Sequence, residues 1–133
     1  MAIWRRSRKF VERRRAPRFE PASLVAHYWT GGLPEPRPVR DIGLFGAMVQ
    51  SAEPYYPGTV IRMALESRTE AQGTAERTEF AGIWARVLRN VSEGFCVEFI
   101  FGSRSERRSF REFLEQVERL DASDVQTERR EKG

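Results

Sequence analysis

Two short motifs carry the residue types best suited to hold an anionic ligand. The first, 12–18 (ERRRAPR), ends a basic N-terminal arm, and the second, 41–46 (DIGLFG), begins near a turn between two apolar segments. Arginine presents a planar fork of donors that matches phosphate oxygens and the O6/N7 edge of guanine. The carboxylate of Asp41 can accept from guanine N–H groups, and Gly46 lets the backbone turn tightly beside a ligand. If the two motifs meet, they would enclose an anion that carries guanine.

The positive charge of the chain is concentrated in the N-terminal arm. The whole chain has 23 basic and 19 acidic residues and a net charge of +4. Residues 1–18 hold eight basic residues and one acidic residue, so this segment carries +7 and the remainder carries −3. An anionic partner would therefore be attracted to the arm. A run of this kind is also typical of a solvated tail, and the arm alone does not decide between the two.

The residues for catalysis, metal binding and disulfide formation are too few. His27 is the only histidine, and it has no serine or cysteine signature near it, so a catalytic triad is not indicated. Cys96 is the only cysteine, which excludes an intrachain disulfide and favours a packed residue in a reduced, cytoplasmic protein. Two Cys/His residues do not make a zinc site, and no P-loop or dinucleotide fingerprint is present. The sequence thus predicts no enzyme, metal, cofactor or membrane span.

The apolar pattern predicts six short strands followed by one helix. The strands are expected at 22–29, 37–42, 47–51, 59–66, 80–89 and 94–101, and the polar segment 67–78 is expected to be a mobile hairpin loop. Ser103 and Glu106 resemble a capping box, and an apolar stripe at helical spacing follows, formed by Phe110, Phe113, Leu114, Val117 and Leu120. This order predicts a small antiparallel barrel or sandwich with a packed helix. The expected units are an arm at 1–20, a domain at 21–120 and a disordered tail at 121–133.

The two motifs, in this order and in this strand pattern, resemble those of the PilZ domain family. Arg14 and Arg18 form its RxxxR motif, with Arg13 as the frequent preceding arginine. The DIGLFG segment is similar to its (D/N)xSxxG motif, and 94–99 (GFCVEF) looks like its closing strand. The resemblance covers roughly residues 12–118. One position departs from the pattern, because Gly43 stands where the family has serine.

The resemblance implies a mainly β fold, a six-stranded antiparallel PilZ-type barrel with a C-terminal helix and a flexible basic arm. It also implies a bacterial, non-enzymatic receptor for the second messenger cyclic di-GMP, whose arm reorders on binding and is read by a partner protein. The residues expected to bind the nucleotide are Arg13, Arg14, Arg18, Asp41, Gly43, Gly46 and Trp84. For Trp84, stacking on a guanine and packing in the core remain equal alternatives.

The missing hydroxyl at Gly43 leaves a second interpretation open. A neutral hydrogen bond contributes about 1 kcal/mol net, so its loss would lower affinity several-fold to tenfold without removing the arginine and aspartate contacts. The alternative is a degenerate PilZ-like adaptor that binds only protein. A nucleic-acid binder that uses the basic arm ranks behind both, because no aromatic RNA-binding signature accompanies the arginines.

Overall fold

The structure is a computed structural model that describes residues 18–29, 35–71 and 74–132. Its elements are β1 (Arg18–Phe19), β2 (Leu24–Tyr28), β3 (Arg37–Gly43), β4 (Gly46–Gln50), β5 (Val60–Ala71), β6 (Thr74–Val91), β7 (Gly94–Ile100) and α1 (Arg104–Lys132). Residues 1–17 of the predicted arm and residues 30–34 of the predicted loop lie outside this description. The last residues of the arm form β1, a strand that the sequence pattern did not indicate.

Strands β2 to β7 form a closed six-stranded antiparallel barrel, which confirms the predicted fold class. Neighbouring strands follow the order β3, β2, β5, β6, β7 and β4, and a β3–β4 pairing closes the circle. The short β1 lies outside the barrel and pairs with β3. Each barrel strand therefore has a partner on both sides, so the barrel leaves no long unpaired edge.

The core follows the alternation that the sequence predicts. Inward-facing residues of successive strands are buried, for example Ala26 on β2 and Val97 on β7. Helix α1 adds its apolar stripe, in which four of the five predicted residues are buried: Phe110, Phe113, Leu114 and Val117. The Phe110 ring packs edge-on against the rings of Phe80 and Phe99. The helix is thus fixed to the barrel by aromatic packing rather than by its own propensity.

Helix α1 begins and ends differently from a simple capping box and tail. The Ser103 hydroxyl accepts from the Glu106 amide at 3.0 Å, whereas the Glu106 carboxylate accepts from the Gly102 amide at 2.9 Å. The Glu106 side chain therefore reaches one residue further back than the standard motif requires.

At its C-terminal end helix α1 continues to Lys132, whereas the sequence pattern predicts a disordered tail from residue 121. No glycine or proline interrupts 104–132, so nothing in the backbone stops the helix.

The loop predicted at 67–78 is wrong for 67–71 and 74–78, which are paired strand, whereas residues 72–73 lie outside the described residues. Strands β5 and β6 continue through it as a two-stranded ribbon, paired from Ser67↔Thr78 to Ala71↔Thr74. The polar composition suggested a loop, but backbone pairing between strands needs no apolar side chain once the barrel has fixed the register. The side chains of Ser67 and Thr78 are buried at the base of this ribbon.

Candidate anion-binding site

The first motif reaches the second through β1. Arg18 lies opposite Gly43 and Phe19 lies opposite Ile42, on the edge of β3 that does not face β4. Along the same edge of β3, β2 pairs with the first residues, Arg37 and Pro38, and β1 pairs with the last two. The fold therefore holds the last residue of the first motif, Arg18, directly beside Gly43 of the second motif.

A β-bulge turns Asp41 towards solvent. Between β3 and β4, Val39 pairs with Val49 and Asp41 pairs with Met48, which leaves Arg40 as an extra residue. Val39 and Ile42 both face the core, although strict alternation would place Asp41 there instead. The bulge thus puts Asp41 on the outer face, diagonally beside Arg18, whereas Gly43 is buried directly opposite Arg18.

Arg18 and Asp41 form an ion pair that is incompletely satisfied. Nη2 of Arg18 lies 3.0 Å from Oδ1 of Asp41, and the two side chains are 50% and 37% exposed. Oδ1 is covered from solvent, yet its angle to Arg18 is not that of a hydrogen bond, and no other described residue donates to it. The pair therefore keeps acceptor capacity on Asp41 and donor capacity on Arg18 for a further group.

Gly46 is required by close packing rather than by its turn conformation. A Cβ at this position would lie inside contact distance of the Val97 carbonyl oxygen, and 3.7 Å from Nη2 of Arg18. Gly58 is the only glycine in the described ranges with positive φ, so Gly46 does not need the left-handed region. The missing side chain lets β4 approach β7 and leaves room for the Arg18 guanidinium.

A cleft of about 710 Å³ opens beside the Arg18 end of this site. Its volume is within the range of small-molecule sites. Its walls combine two arginines, one carboxylate and a larger apolar area: Arg18, Gly43, Leu44, Phe45, Gly46, Leu88, Arg89, Cys96, Val97, Glu98 and Phe99. A further bulge of the barrel, at Leu88 in β6, leaves both Leu88 and the adjoining Arg89 exposed at the cleft. The site thus offers cationic groups beside apolar surface, as a ligand with phosphates and flat rings requires.

Glu98 and Arg86 form a second ion pair next to Gly46. Glu98 lies directly opposite Gly46 on β7, and Arg86 lies opposite Glu98 on β6. Nη1 of Arg86 donates to Oε1 of Glu98 at 2.9 Å. The sequence interpretation did not select Glu98, although the alternation of the closing strand, with Phe95 and Val97 inward, places it outward. The Leu88 bulge carries no comparable signal in composition.

Trp84 lies apart from the four described motif residues. Its side chain is 45% exposed on the outer face of β6, which excludes the alternative of core packing. It is separated from Gly46 by two strand spacings and one two-residue step, a distance of about 12 Å. The guanidinium carbon of Arg62 lies 5.2 Å from the ring centroid, so one face of the indole is already covered.

Of the other residues that the sequence predicts for the site, the structure brings together Arg18, Asp41, Gly43 and Gly46. Arg13 and Arg14 lie outside the described residues.

A second charged cluster lies on β2, β5 and β6, around Glu66. Oε1 of Glu66 accepts from Nε of Arg68 at 2.5 Å, and Oε2 accepts from Nη2 of Arg77 at 3.2 Å. Nε2 of His27 lies 3.6 Å from Oε2, so the only histidine takes a structural position. Burial opposes the ionisation of Glu66, but the hydrogen bonds and charges of Arg68 and Arg77 outweigh it and lower its pKa. This carboxylate is saturated by partners from its own fold.

In comparisons with known proteins, no family model and no curated protein matches the chain. Among the described residues, α1 included, no helix has the length and apolarity to cross a bilayer. The interpretation of the cleft therefore depends on its own residues and on the resemblance of the two motifs.

Proposed function

We propose that this protein is a receptor for cyclic di-GMP, without catalytic activity, that changes the position of its N-terminal arm on binding. The observation that carries the proposal is the meeting of the two motifs, in which Arg18 pairs in register with Gly43 and lies 3.0 Å from Asp41. The sequence alone already indicates that these two motifs act together. A pair of unrelated surface segments would have no reason to be neighbours in the fold.

The chemistry of the cleft supports this ligand. Cyclic di-GMP carries two phosphates and two guanines, so it needs cations, acceptors for guanine N–H groups and apolar surface for the bases. Arg18 is half exposed and can donate to a phosphate or to the O6/N7 edge of guanine while Asp41 holds it. Arg89, Phe45 and Leu88 supply further charge and apolar wall. Together these groups match each part of the nucleotide.

In this proposal the arm is the moving part and β1 is its anchor. Arg13 and Arg14 precede the anchored Arg18 by a few residues, which is close enough to reach the same ligand. The arm's charge of like sign disfavours its close approach to the arginines of the cleft until an anion neutralises them. Binding would then dock the arm on the barrel, and a partner protein would read the change.

Calorimetric titration with cyclic di-GMP tests the proposal. We expect binding by the intact chain, and its loss or a large weakening in Arg18→Ala and Arg14→Ala. Arg107→Ala is the matched control, because Arg107 is exposed on α1 and its side chain makes no ion pair within the described residues. An absence of heat at high micromolar nucleotide, with a folded protein, would reject the receptor function.

The exposed apolar residues of the cleft favour one other function, that of a protein-binding adaptor. Phe45 and Leu88 are 44% and 49% exposed, and Val60 lies beside Arg86 on the neighbouring strand. Such side chains suit the centre of a protein interface as well as a nucleotide base. A partner whose binding is unaffected by both cyclic di-GMP and Arg18→Ala would identify the adaptor.

A further inference from the structure

The cleft contains a carboxylate that neither motif includes. Of the acidic residues that the structure describes, Glu98 is the one that lines the cleft, whereas Asp41 lies behind Arg18 and outside the lining. This arrangement differs from the expectation that Asp41 contacts the guanine. The negative charge of Glu98 repels a phosphate, so its position in a cleft that would bind an anion calls for an explanation.

Glu98 is held in a defined position and keeps one side open. Arg86 donates to Oε1 at 2.9 Å, which compensates the charge and fixes the orientation of the carboxylate. Oε2 has no partner in the described part of the chain, and the side chain is 33% exposed. Gly46 lies directly opposite and contributes no side chain, so β4 places no side chain directly across from the carboxylate.

We infer that Glu98 reads the Watson–Crick edge of a guanine in this cleft, an inference that depends on the proposed function. Guanine presents N1–H and N2–H₂ side by side, and a carboxylate accepts from both with its two oxygens. Adenine presents an acceptor at N1, which a carboxylate repels. Hypoxanthine keeps N1–H but lacks the amino group. Glu98 therefore selects guanine over both of the other bases.

The two carboxylates then have different tasks. Asp41 is a positioning residue, because it acts on the ligand through Arg18. Glu98 contacts the base itself and determines specificity, and Arg86 holds Glu98 as Asp41 holds Arg18. The paired arrangement lets two acids serve an anionic ligand, since each acid is neutralised by its own arginine.

Titrations of the intact chain with three cyclic dinucleotides test this assignment without any mutation. We expect cyclic di-GMP to bind about tenfold to a hundredfold more tightly than cyclic di-AMP, with cyclic di-IMP between them. In Glu98→Gln the amide repels the N2 amino group but can pair with adenine, so the preference for guanine should shrink by about tenfold or more. Equal affinity of the intact chain for the di-GMP and di-IMP ligands would overturn the inference.

Glu79→Gln is the matched control, because Glu79 is an exposed partner of Arg77 on β6 and does not line the cleft. It should keep the order of the three ligands. A thermal melt of each variant shows whether the barrel remains folded. If the intact chain binds cyclic di-GMP but Glu98→Gln keeps the same preference, Glu98 is not the reader and the receptor function stands. If no cyclic dinucleotide binds the intact chain, both proposals fail.

Discussion

Two of the arginine–carboxylate clusters on the barrel, around Glu66 and at Asp41, differ in how completely they are paired. Glu66 receives two arginine hydrogen bonds and a nearby histidine, and its side chain is only 12% exposed. Within the described ranges Asp41 has Arg18 as its one partner, at a distance that suits an ion pair but at an angle that does not suit a hydrogen bond. The hydrogen-bonding capacity of the Glu66 carboxylate is filled, whereas that of Asp41 is only partly used. A closed cluster contributes stability to the fold, and an incomplete one is available to a ligand.

Their positions on the sheet explain the difference. Glu66 has a paired strand on each side, and these strands supply His27 on β2 and Arg77 on β6, although a register shift between Met63 and Leu65 precedes it as well. Asp41 faces the uncharged Met48 on β4 and, at the other edge of β3, the two-residue β1, which supplies Arg18. The difference therefore lies in how many arginines of the described chain reach each carboxylate, two for Glu66 and one for Asp41.

Removing Asp41 should have the largest effect, and it should fall on binding. In Asp41→Ala we expect cyclic di-GMP affinity to fall by about 2–3 kcal/mol, because Arg18 loses the group that orients it. Glu66→Ala should leave the affinity unchanged. Calorimetry on both variants measures the contrast, and an equal loss in the two would show that the clusters do not differ in function.

Stability should respond in the reverse order. In Glu66→Gln, one carboxylate that bridges two strands is lost, and we expect the free energy of unfolding to fall by about 1–2 kcal/mol. In Asp41→Asn the exposed pair contributes less than about 1 kcal/mol. Urea denaturation of both variants against the intact chain measures the two values. A larger loss for Asp41→Asn would contradict the assignment of Glu66 as the structural carboxylate.

The contribution of Glu66 should also depend on pH. Its folded pKa lies below the ordinary value of 4.5, so its ionised form favours the folded state. The contribution is therefore fully present above about pH 4.5 and is lost as the pH falls through the lower folded pKa. The gap in unfolding free energy between the intact chain and Glu66→Gln should close on acidification. A gap that persists at pH 2 would show that packing, not charge, holds this cluster.

The motifs indicate the Arg18–Asp41 cluster, whereas nothing in the sequence pattern indicates the Glu66 cluster. The barrel strands, the apolar stripe of α1 and the outward position of Arg86 follow from periods of 2 and 3.6, so composition and spacing suffice. A bulge such as that at Arg40 changes the period by one residue without a signal in composition. The pairing of Arg18 with Gly43 joins distant segments, and here the motifs rather than the periodicity indicated the contact.

The ribbon of β5 and β6 shows the converse limitation. Its polar residues suggest a loop because propensity and hydropathy describe one segment at a time. In the fold, Arg68 and Arg77 lie opposite each other and both contact Glu66, so the stabilising partner is visible only once the register is known. Prediction from the local sequence pattern therefore assigns a loop to polar strands that are stabilised by cross-strand ion pairs.

The smallest expected effect concerns Gly43, which has no side chain to offer a hydrogen bond to the proposed ligand. Gly43→Ser adds a hydroxyl beside Arg18 and should tighten cyclic di-GMP binding several-fold, by about 1 kcal/mol. Gly43→Ala is the control, since it adds a Cβ without a hydrogen-bonding group. Tighter binding by Gly43→Ser but not by Gly43→Ala would show that the cluster at Asp41 can accept a further hydrogen bond to the ligand. The same affinity in both variants would mean that Asp41 and Arg18 already satisfy the ligand at this position, and the contrast with Glu66 would be smaller than the geometry suggests.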